Sequence, residues 1–513
     1  MHSFFSTDII IVILFVVVIG IFSLRTAKSS FTVEEYFFAD KNLTWPVIGI
    51  TIIASNISTE HFVAQAGEGY KIGLAVASYE WTASLVMIFV ALIVLPLFLR
   101  AGIHTLPEYL EYRYNKLSRL YMAFVVLVIY TFVMLPSVIF LGAITLNGIF
   151  KIDITLCIAF IGLASGVFSV VGGLNSVVKA NIIFGILILL GGIIISTAGI
   201  IHLGGIDKFA SVHSEKLDSL LPMSNKNIPW TDVFLGGLWV LHFNYWCANQ
   251  FIVQHSLASK TLSEGQKGIL FAATLKLFIP FLIIIPGIIS YDLFGDKFVG
   301  QEDTVFLNLI NVLFPAGFKG FLLAILIGAA ISTLHSQVNA ARSIFTLDIY
   351  NRFIDKKASD EKLVKTGRLF AVAILIFSCI WAPYMIKLGG NDIYERIQSL
   401  WGYIAPALFI IFILGIFIKK APPIAANLTL ILNPLIYGLL SFYLNQTSFL
   451  DRITITTIIL ASIFVLLSFI FKLDAPPQIP ERNSEIKFER NLVVIIWGIF
   501  IFAGIATVYL IFI

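Results

Sequence analysis

Charge is scarce in this chain. Of 513 residues, only 12% are Asp, Glu, Lys or Arg, against about 25% in soluble domains. So few charges cannot cover a globule in water, and no long polar segment is present to form a separate soluble domain. Cysteine is scarcer still: Cys157, Cys247 and Cys379 lie in apolar runs, with neither metal-ligand spacing nor a disulfide framework. HExxH, GxSxG and a phosphate-cradling glycine loop are missing, which argues against an intramembrane enzyme. The formal net charge is +4, with all but one of the basic residues assigned to loops between spans, so no nucleic-acid partner is expected.

What is present is apolar: 58% hydrophobic residues and a mean hydropathy of +0.95. The many runs near 20 residues fit an integral membrane protein of helices rather than a barrel. Fourteen spans are expected, near 7–25, 44–66, 76–99, 119–148, 153–171, 176–203, 231–255, 268–293, 317–350, 365–385, 393–418, 422–445, 452–471 and 491–513. Most lysines and arginines then fall in loops on one side, including Arg100, Arg113, Lys116, Arg119 and the run from Arg342 to Arg368. That side is expected to be inner, with both chain ends outside. Asp8 precedes the first apolar run, and Arg25 and Lys28 follow it. A signal peptide has the opposite order, so a retained helix is expected.

Polar residues interrupt some of these spans. From Thr51 to Ala66 the chain reads TIIASNISTEHFVAQA, with Ser55, Asn56, Ser58, Thr59, Glu60 and His61 in close order. Unpartnered polar groups in hydrocarbon cost several kcal/mol, roughly, so this run faces protein or water. It fits an opened helix whose free backbone groups build a site, or a polar packing seam between helices. The seventh span holds GGLWVLHFNYWCANQ, with His242, Asn244, Tyr245, Trp246, Asn249 and Gln250 inside apolar surroundings. Lys276 lies deep in the eighth span, and Glu80, near the outer end of the third, is its expected partner. The pair suits a pathway lining or a structural link between helices. The ninth span has a face of small and polar residues, Ala329, Ser332, Thr333, Ser336 and Asn339. It suits close helix packing, or oxygen ligation of a monovalent ion.

Spans two and seven are five apart, so they cross the membrane in opposite senses. That is the spacing of a five-helix inverted repeat with its site where broken helices meet. The chain thus reads as one transmembrane unit: a peripheral helix at 7–25, repeats at 44–203 and 231–418, and peripheral helices over 422–513. The breaks are expected at 54–58 and about 242–249.

The segments ASNIS (54–58), GLAVASYEW (73–81), GGL (172–174), GGLWV…YWCANQFIVQ (236–254), GQKGILFAATLK (265–276) and ISTLHSQVNAARSIFTLDIY (331–350) resemble the sodium/solute symporter family, in its sodium–sugar branch. The resemblance implies an all-α LeuT-type fold and sodium-driven import of a neutral sugar or polyol, a hexose or inositol, by alternating access. The plasma (inner) membrane is the implied location. Carried across by position, it implies sodium ligands at the carbonyls of Ala54, Ile57 and Ala329 and the hydroxyls of Ser332 and Thr333. It implies sugar contacts at Asn56, His61, Glu80, His242, Tyr245, Trp246, Lys276 and Gln398, with Tyr245 stacking on the ring, and outer gate positions at Gln65, Tyr79 and Tyr394. Three positions depart from the pattern. His61 replaces the glutamine of bacterial galactose carriers, His242 replaces their asparagine, and Asn181 stands where an aspartate is common, which bears on a second sodium. A carrier of sialic acid or a carboxylate, and a sensor that binds sugar without moving it, are the alternatives.

Overall fold

Serine and asparagine compete for backbone hydrogen bonds, and the second span shows the result. Helix α2 (Trp45–Asn56) stops at Asn56, Ile57 is extended (φ −82°, ψ 114°), and α3 (Glu60–Ile72) restarts at an angle of 62°. Ser58 Oγ accepts the amide of Glu60 at 3.1 Å, supplying an acceptor that the restarted helix lacks. The break falls at Ile57–Thr59, at the end of the expected 54–58.

These relations come from a computed structural model that describes residues 7–25, 32–212, 214–225, 227–384, 393–486 and 491–512; Lys28 lies outside them. Beside short connecting helices such as Val33–Phe38, Leu106–Arg113 and Val305–Leu313, the other main helices are α1 (Thr7–Leu24), α4 (Leu74–Ala101), α5 (Lys116–Phe150), α6 (Ile154–Val171), α7 (Gly173–Leu203), α8 (Gly237–Cys247), α9 (Gln250–Leu257), α10 (Leu262–Phe298), α11 (Phe318–Ile354), α12 (Asp360–Tyr384), α13 (Tyr394–Tyr403), α14 (Ala405–Phe417), α15 (Pro423–Tyr443), α16 (Phe449–Ile470) and α17 (Leu492–Ile511). Among the described residues nine helices are long and apolar enough to cross a membrane, or up to eleven if each of two bent pairs counts as one span. The expected fourteen exceeds that number because α1 and α6 offer only shorter apolar stretches, and the seventh span is cut into α8 and α9.

That cut falls within the second expected break, about 242–249, at its C-terminal end. His242 to Trp246 lie in continuous helix, and the chain opens only at Ala248 and Asn249. Tyr130 of α5 fills the opening: its hydroxyl donates to Asn249 Oδ1 at 2.5 Å and accepts the Phe251 amide at 3.3 Å. A third break, absent from the sequence reading, separates α13 from α14 by a 55° bend. Asn433 of α15 spans it, donating to the Gly402 carbonyl at 3.1 Å and accepting the Ala407 amide at 3.0 Å.

Five stretches among the described residues widen into π-turns, and two of them, Val90–Val94 and Tyr130–Met134, end two residues before a proline, Pro96 or Pro136. Proline cannot donate the i→i−4 bond, and a wider turn accommodates that loss. Gly73 joins α3 to α4 at φ +96°, where a Cβ would lie 2.4 Å from the Lys216 carbonyl, so the corner needs glycine.

The broken helices sit at the centre. α2 packs on α7, α10 and α11; α9 packs on α2 and α11; α8 packs on α4 and α14. α1 lies outside against α11, whose first turn it caps: Asp8 Oδ1 accepts the amides of Gly317 and Gly320 at 2.6 and 2.8 Å. α15 and α16 pair at the periphery, and α17 leans on α10. Apolar side chains such as Leu163, Phe469, Phe500 and Leu510 are exposed on the outer surface, as lipid contact requires.

On the face expected to be inner, charges knit the ends of helices together. Asp348 of α11 accepts from Thr105 and Arg119, and Glu111 pairs with Arg119 and Arg352. His104 lies between two carboxylates, with Nε2 3.5 Å from Glu34 and Nδ1 3.7 Å from Glu108. The His104 contact holds Glu34 down at about 2. Burial pushes Glu108 up, but its bonds from His104 outweigh that and hold it at about 2. Burial lowers His104, and the two carboxylates more than reverse it, so its value lies above the ordinary 6.5.

Candidate functional site

The break in α2–α3, the aromatic end of α8, the middle of α10 and the arm α13 enclose one cavity. All eight expected substrate contacts line it: Asn56, His61, Glu80, His242, Tyr245, Trp246, Lys276 and Gln398. Glu80 and Lys276, 3% and 2% exposed, form an ion pair. Neither charge is tolerable alone at this depth, and each offsets the other's desolvation. Lys276 Nζ also donates to Asn56 Oδ1 at 2.8 Å, and Asn56 Nδ2 donates to the Tyr245 hydroxyl at 2.9 Å. The ammonium lies 4.9 Å above the Trp246 ring, a cation–π contact. One connected chain therefore runs from α4 through α10 and α2 to α8.

The two histidines join this chain at its edges. His61 Nε2 lies 3.8 Å from Glu80 Oε1, and His242 Nε2 lies 2.8 Å from Thr82 Oγ1. Of the expected gate residues, Tyr79 and Tyr394 line the cavity and meet edge to face at 5.4 Å. Gln65 does not line it; fully buried, it donates to Glu80 Oε1 at 3.3 Å and braces the carboxylate from behind.

Beside the cavity, at the α2 break, four of the five expected ion ligands, Ala54, Ile57, Ser332 and Thr333, come together. Ser332 Oγ lies 2.8 Å from both the Ala54 carbonyl and Asn181 Oδ1, and Thr333 Oγ1 donates to the Ile57 carbonyl at 3.5 Å. Ala329 lies one turn earlier on α11 and is fully buried. Ser332 has one proton for two carbonyl oxygens, so the niche is oxygen-rich and electron-rich, as a hard cation requires. Asn181 is satisfied at both ends, its Nδ2 donating to Ser55 and Ser336 at 2.9 and 3.0 Å. His255 closes the cluster at 2.8 Å from Ser55.

Sequence reasoning missed Gln337, Glu60, Ser58, Asn244, Ser137 and Trp401 as lining residues. Gln337 stands four residues after Thr333 and so shares its helical face, a signal that was available. Ser58, Glu60 and Asn244 belong to the polar runs already singled out. Nothing in the local sequence distinguishes Ser137 or Trp401. Conversely, Asn249 and Gln250 lie away from the cavity: Asn249 meets Tyr130, and Gln250 binds the loop at His104 and Leu106.

Broken helices around a buried polar chamber, in a chain of long apolar helices, define a multi-pass membrane carrier. The chain belongs to the sodium:solute symporter family, whose model matches residues 36–431. It is a symporter, and sodium is its coupling ion. It is 34% identical to the sodium/glucose cotransporter of Vibrio parahaemolyticus, over 98% of this chain and 97% of that one. It is 30% identical to sodium/myo-inositol cotransporter 2 of Mus musculus, over 85% of this chain and 69% of that one. The solved structure of a Na+-coupled sialic acid symporter in a substrate-bound outward-open state superposes with a TM-score of 0.83 at 20% identity, covering 93% of this chain and all of that one. The fold is thus LeuT-type, with helices and no strand among the described residues.

Proposed function

We propose that this symporter imports a neutral sugar or polyol, a hexose or an inositol, together with one sodium ion. The observation that carries the reading is the Glu80–Lys276–Asn56–Tyr245 chain along one cavity. A sugar shows hydroxyls at its edge and C–H groups on its faces; it needs convergent donors and acceptors and a flat aromatic wall. Glu80, Lys276, Asn56, His61, His242 and Gln398 supply the polar groups, and Tyr245 with Trp246 supplies the wall. The relatives named as sodium/glucose and sodium/myo-inositol cotransporters support the same substrate class. Lys276 is already paired with Glu80, which disfavours an anionic solute.

Sodium sits among the carbonyls of Ala54, Ile57 and Ala329 and the hydroxyls of Ser332 and Thr333. It ties the α2 break to α11 and stabilises the outward-open state, to which the sugar then binds. A ligand shifts such an equilibrium only through its different affinities for the two states. Tyr79 and Tyr394 close over the sugar, with Gln65 holding Glu80 in place. Asn181, neutral and bonded at both ends, offers no charge to a second cation, so one sodium moves per cycle. Each charge moved gains about 2.3 kcal/mol per 100 mV. The repeats are 44–203 and 231–418, the charged face around His104 is inner, and the protein resides in the plasma (inner) membrane with both ends outside.

The test is uptake into proteoliposomes under an inward sodium gradient, with glucose, myo-inositol and sialic acid compared. Sodium-dependent accumulation of a neutral sugar or polyol supports the reading. Accumulation of sialic acid alone assigns an anion carrier, and binding without accumulation assigns a sensor.

A further inference from the structure

The direction of each hydrogen bond around the cavity decides which groups remain to meet a substrate. Thr82 has one hydroxyl proton. Its Oγ1 lies 2.6 Å from the Ser78 carbonyl, one turn back in α4, and 2.8 Å from His242 Nε2. A carbonyl has no proton to offer, so at 2.6 Å Thr82 must be the donor to Ser78. Thr82 Oγ1 is then the acceptor for His242, whose ring proton resides on Nε2. A neutral imidazole carries one ring proton, which leaves Nδ1 of His242 as a bare acceptor. His61 is set by a different neighbour. At the α2–α3 break the Ser58 amide donates to His61 Nδ1 at 3.3 Å, so that ring also carries its proton on Nε2, beside Glu80. Both rings line the cavity.

We propose that Thr82 and the Ser58 amide are positioning groups that lock the two histidines into one tautomer, so that His242 presents an acceptor and His61 a donor to two different substrate hydroxyls. The inference rests on the sugar or polyol reading above. It adds a second level of recognition: one hydroxyl must give its proton and another must receive one. Two hydroxyls at correct positions but bound in the opposite sense leave a buried group unpaired on each side, and unpaired buried polar groups are where discrimination arises. Asn56 strengthens the same logic. Its Nδ2 donates to the Tyr245 oxygen, so the tyrosine proton stays available.

Two measurements test this. The first is uptake of monodeoxy and monofluoro analogues of whichever hexose or inositol the wild type accumulates. Fluorine accepts weakly and never donates; a deoxy position does neither. At the hydroxyl facing His242 both analogues should raise KM about tenfold, while at the hydroxyl facing His61 the fluoro analogue should outperform the deoxy one. Thr82→Val keeps the shape and releases the ring, so the fluoro analogue should gain on the deoxy analogue at the His242 position; Thr82→Ser should restore the wild-type pattern. An equal KM rise for every analogue in Thr82→Val, with the fluoro-to-deoxy ratio unchanged, would mark Thr82 as merely structural and overturn the proposal. The second is 15N spectroscopy of the imidazoles in the lipid-embedded full chain, which needs no substrate. Both rings should carry hydrogen on Nε2 alone, and Thr82→Val should convert His242 to a mixture. A wild-type His242 protonated on Nδ1 overturns the tautomer lock. Correct tautomers without accumulation of any sugar or polyol would leave the lock standing and overturn the proposed function instead.

Discussion

Neutralising one member of the Glu80–Lys276 pair strands the other in a site 2–3% exposed. Breaking a buried pair in this way costs roughly 3–5 kcal/mol. Lys276→Met should lie at the upper end, because it leaves Glu80 uncompensated and also removes the donor that fixes Asn56 and, through it, Tyr245. Glu80→Gln should lie near the lower end, about 3 kcal/mol, because Asn56 Oδ1 and the Trp246 face still receive the ammonium. The double variant carries no stranded charge and should recover to within about 1 kcal/mol of wild type. Melting in nanodiscs should therefore rank wild type and the double variant together, then Glu80→Gln, then Lys276→Met, while none of the three variants accumulates sugar. Single variants that melt with the wild type would refute the claim that the pair is buried and mutually dependent. A double variant that still transports would refute its role in reading the substrate.

Ser332→Ala should raise the sodium concentration for half-maximal uptake about tenfold, as loss of one cation oxygen predicts, with the ranking of sugars unchanged; an equal change in sugar selectivity would contradict the division of labour. Tyr245→Ala and Gln398→Glu should each abolish uptake while sodium still raises the melting temperature, and loss of that sodium shift would place these residues in ion binding instead. For the His104 clasp, His104 is raised, so its contribution is complete below about 6.5 and fades as pH climbs through the raised value. Glu34 and Glu108, held at about 2, contribute above about 4.5 and fail only as pH falls toward 2. The clasp is therefore complete between roughly pH 5 and 6.5 and loosens on the alkaline side. Hydrogen exchange over Ile103–Tyr112, corrected for the intrinsic rate, should rise from pH 6 to pH 8.5 in the wild type and stay flat in His104→Gln; matching profiles would dismiss the clasp.

The second-span break was legible because Ser55, Asn56, Ser58 and Glu60 together have no reason to stand in lipid. The seventh-span break falls at Ala248 and Asn249, the far end of the expected 242–249. The aromatic and histidine side chains of His242 to Trp246 fit a continuous helix, and the opening falls where Asn249 can reach Tyr130. That partner is remote in sequence. The bend at Trp401–Ile404 was invisible for a related reason: Gly402 and Pro406 are weak signals in an apolar run, and the group that satisfies the freed backbone, Asn433, belongs to another helix. Lys276 and Glu80 were found by charge alone, since a lone lysine in hydrocarbon demands an opposite. Gln65 was placed near the gate, but its contact with Glu80 depends on how far the restarted helix α3 turns, which local sequence does not encode.

Asn433 sits on α15, yet its side chain fixes the joint between α14 and α13, the helix that carries Tyr394 and Gln398 to the chamber. One wall of the chamber is consequently held in place by a residue that does not line it. Exchanging α15 between this chain and a related symporter should therefore change turnover rate and leave solute preference behind.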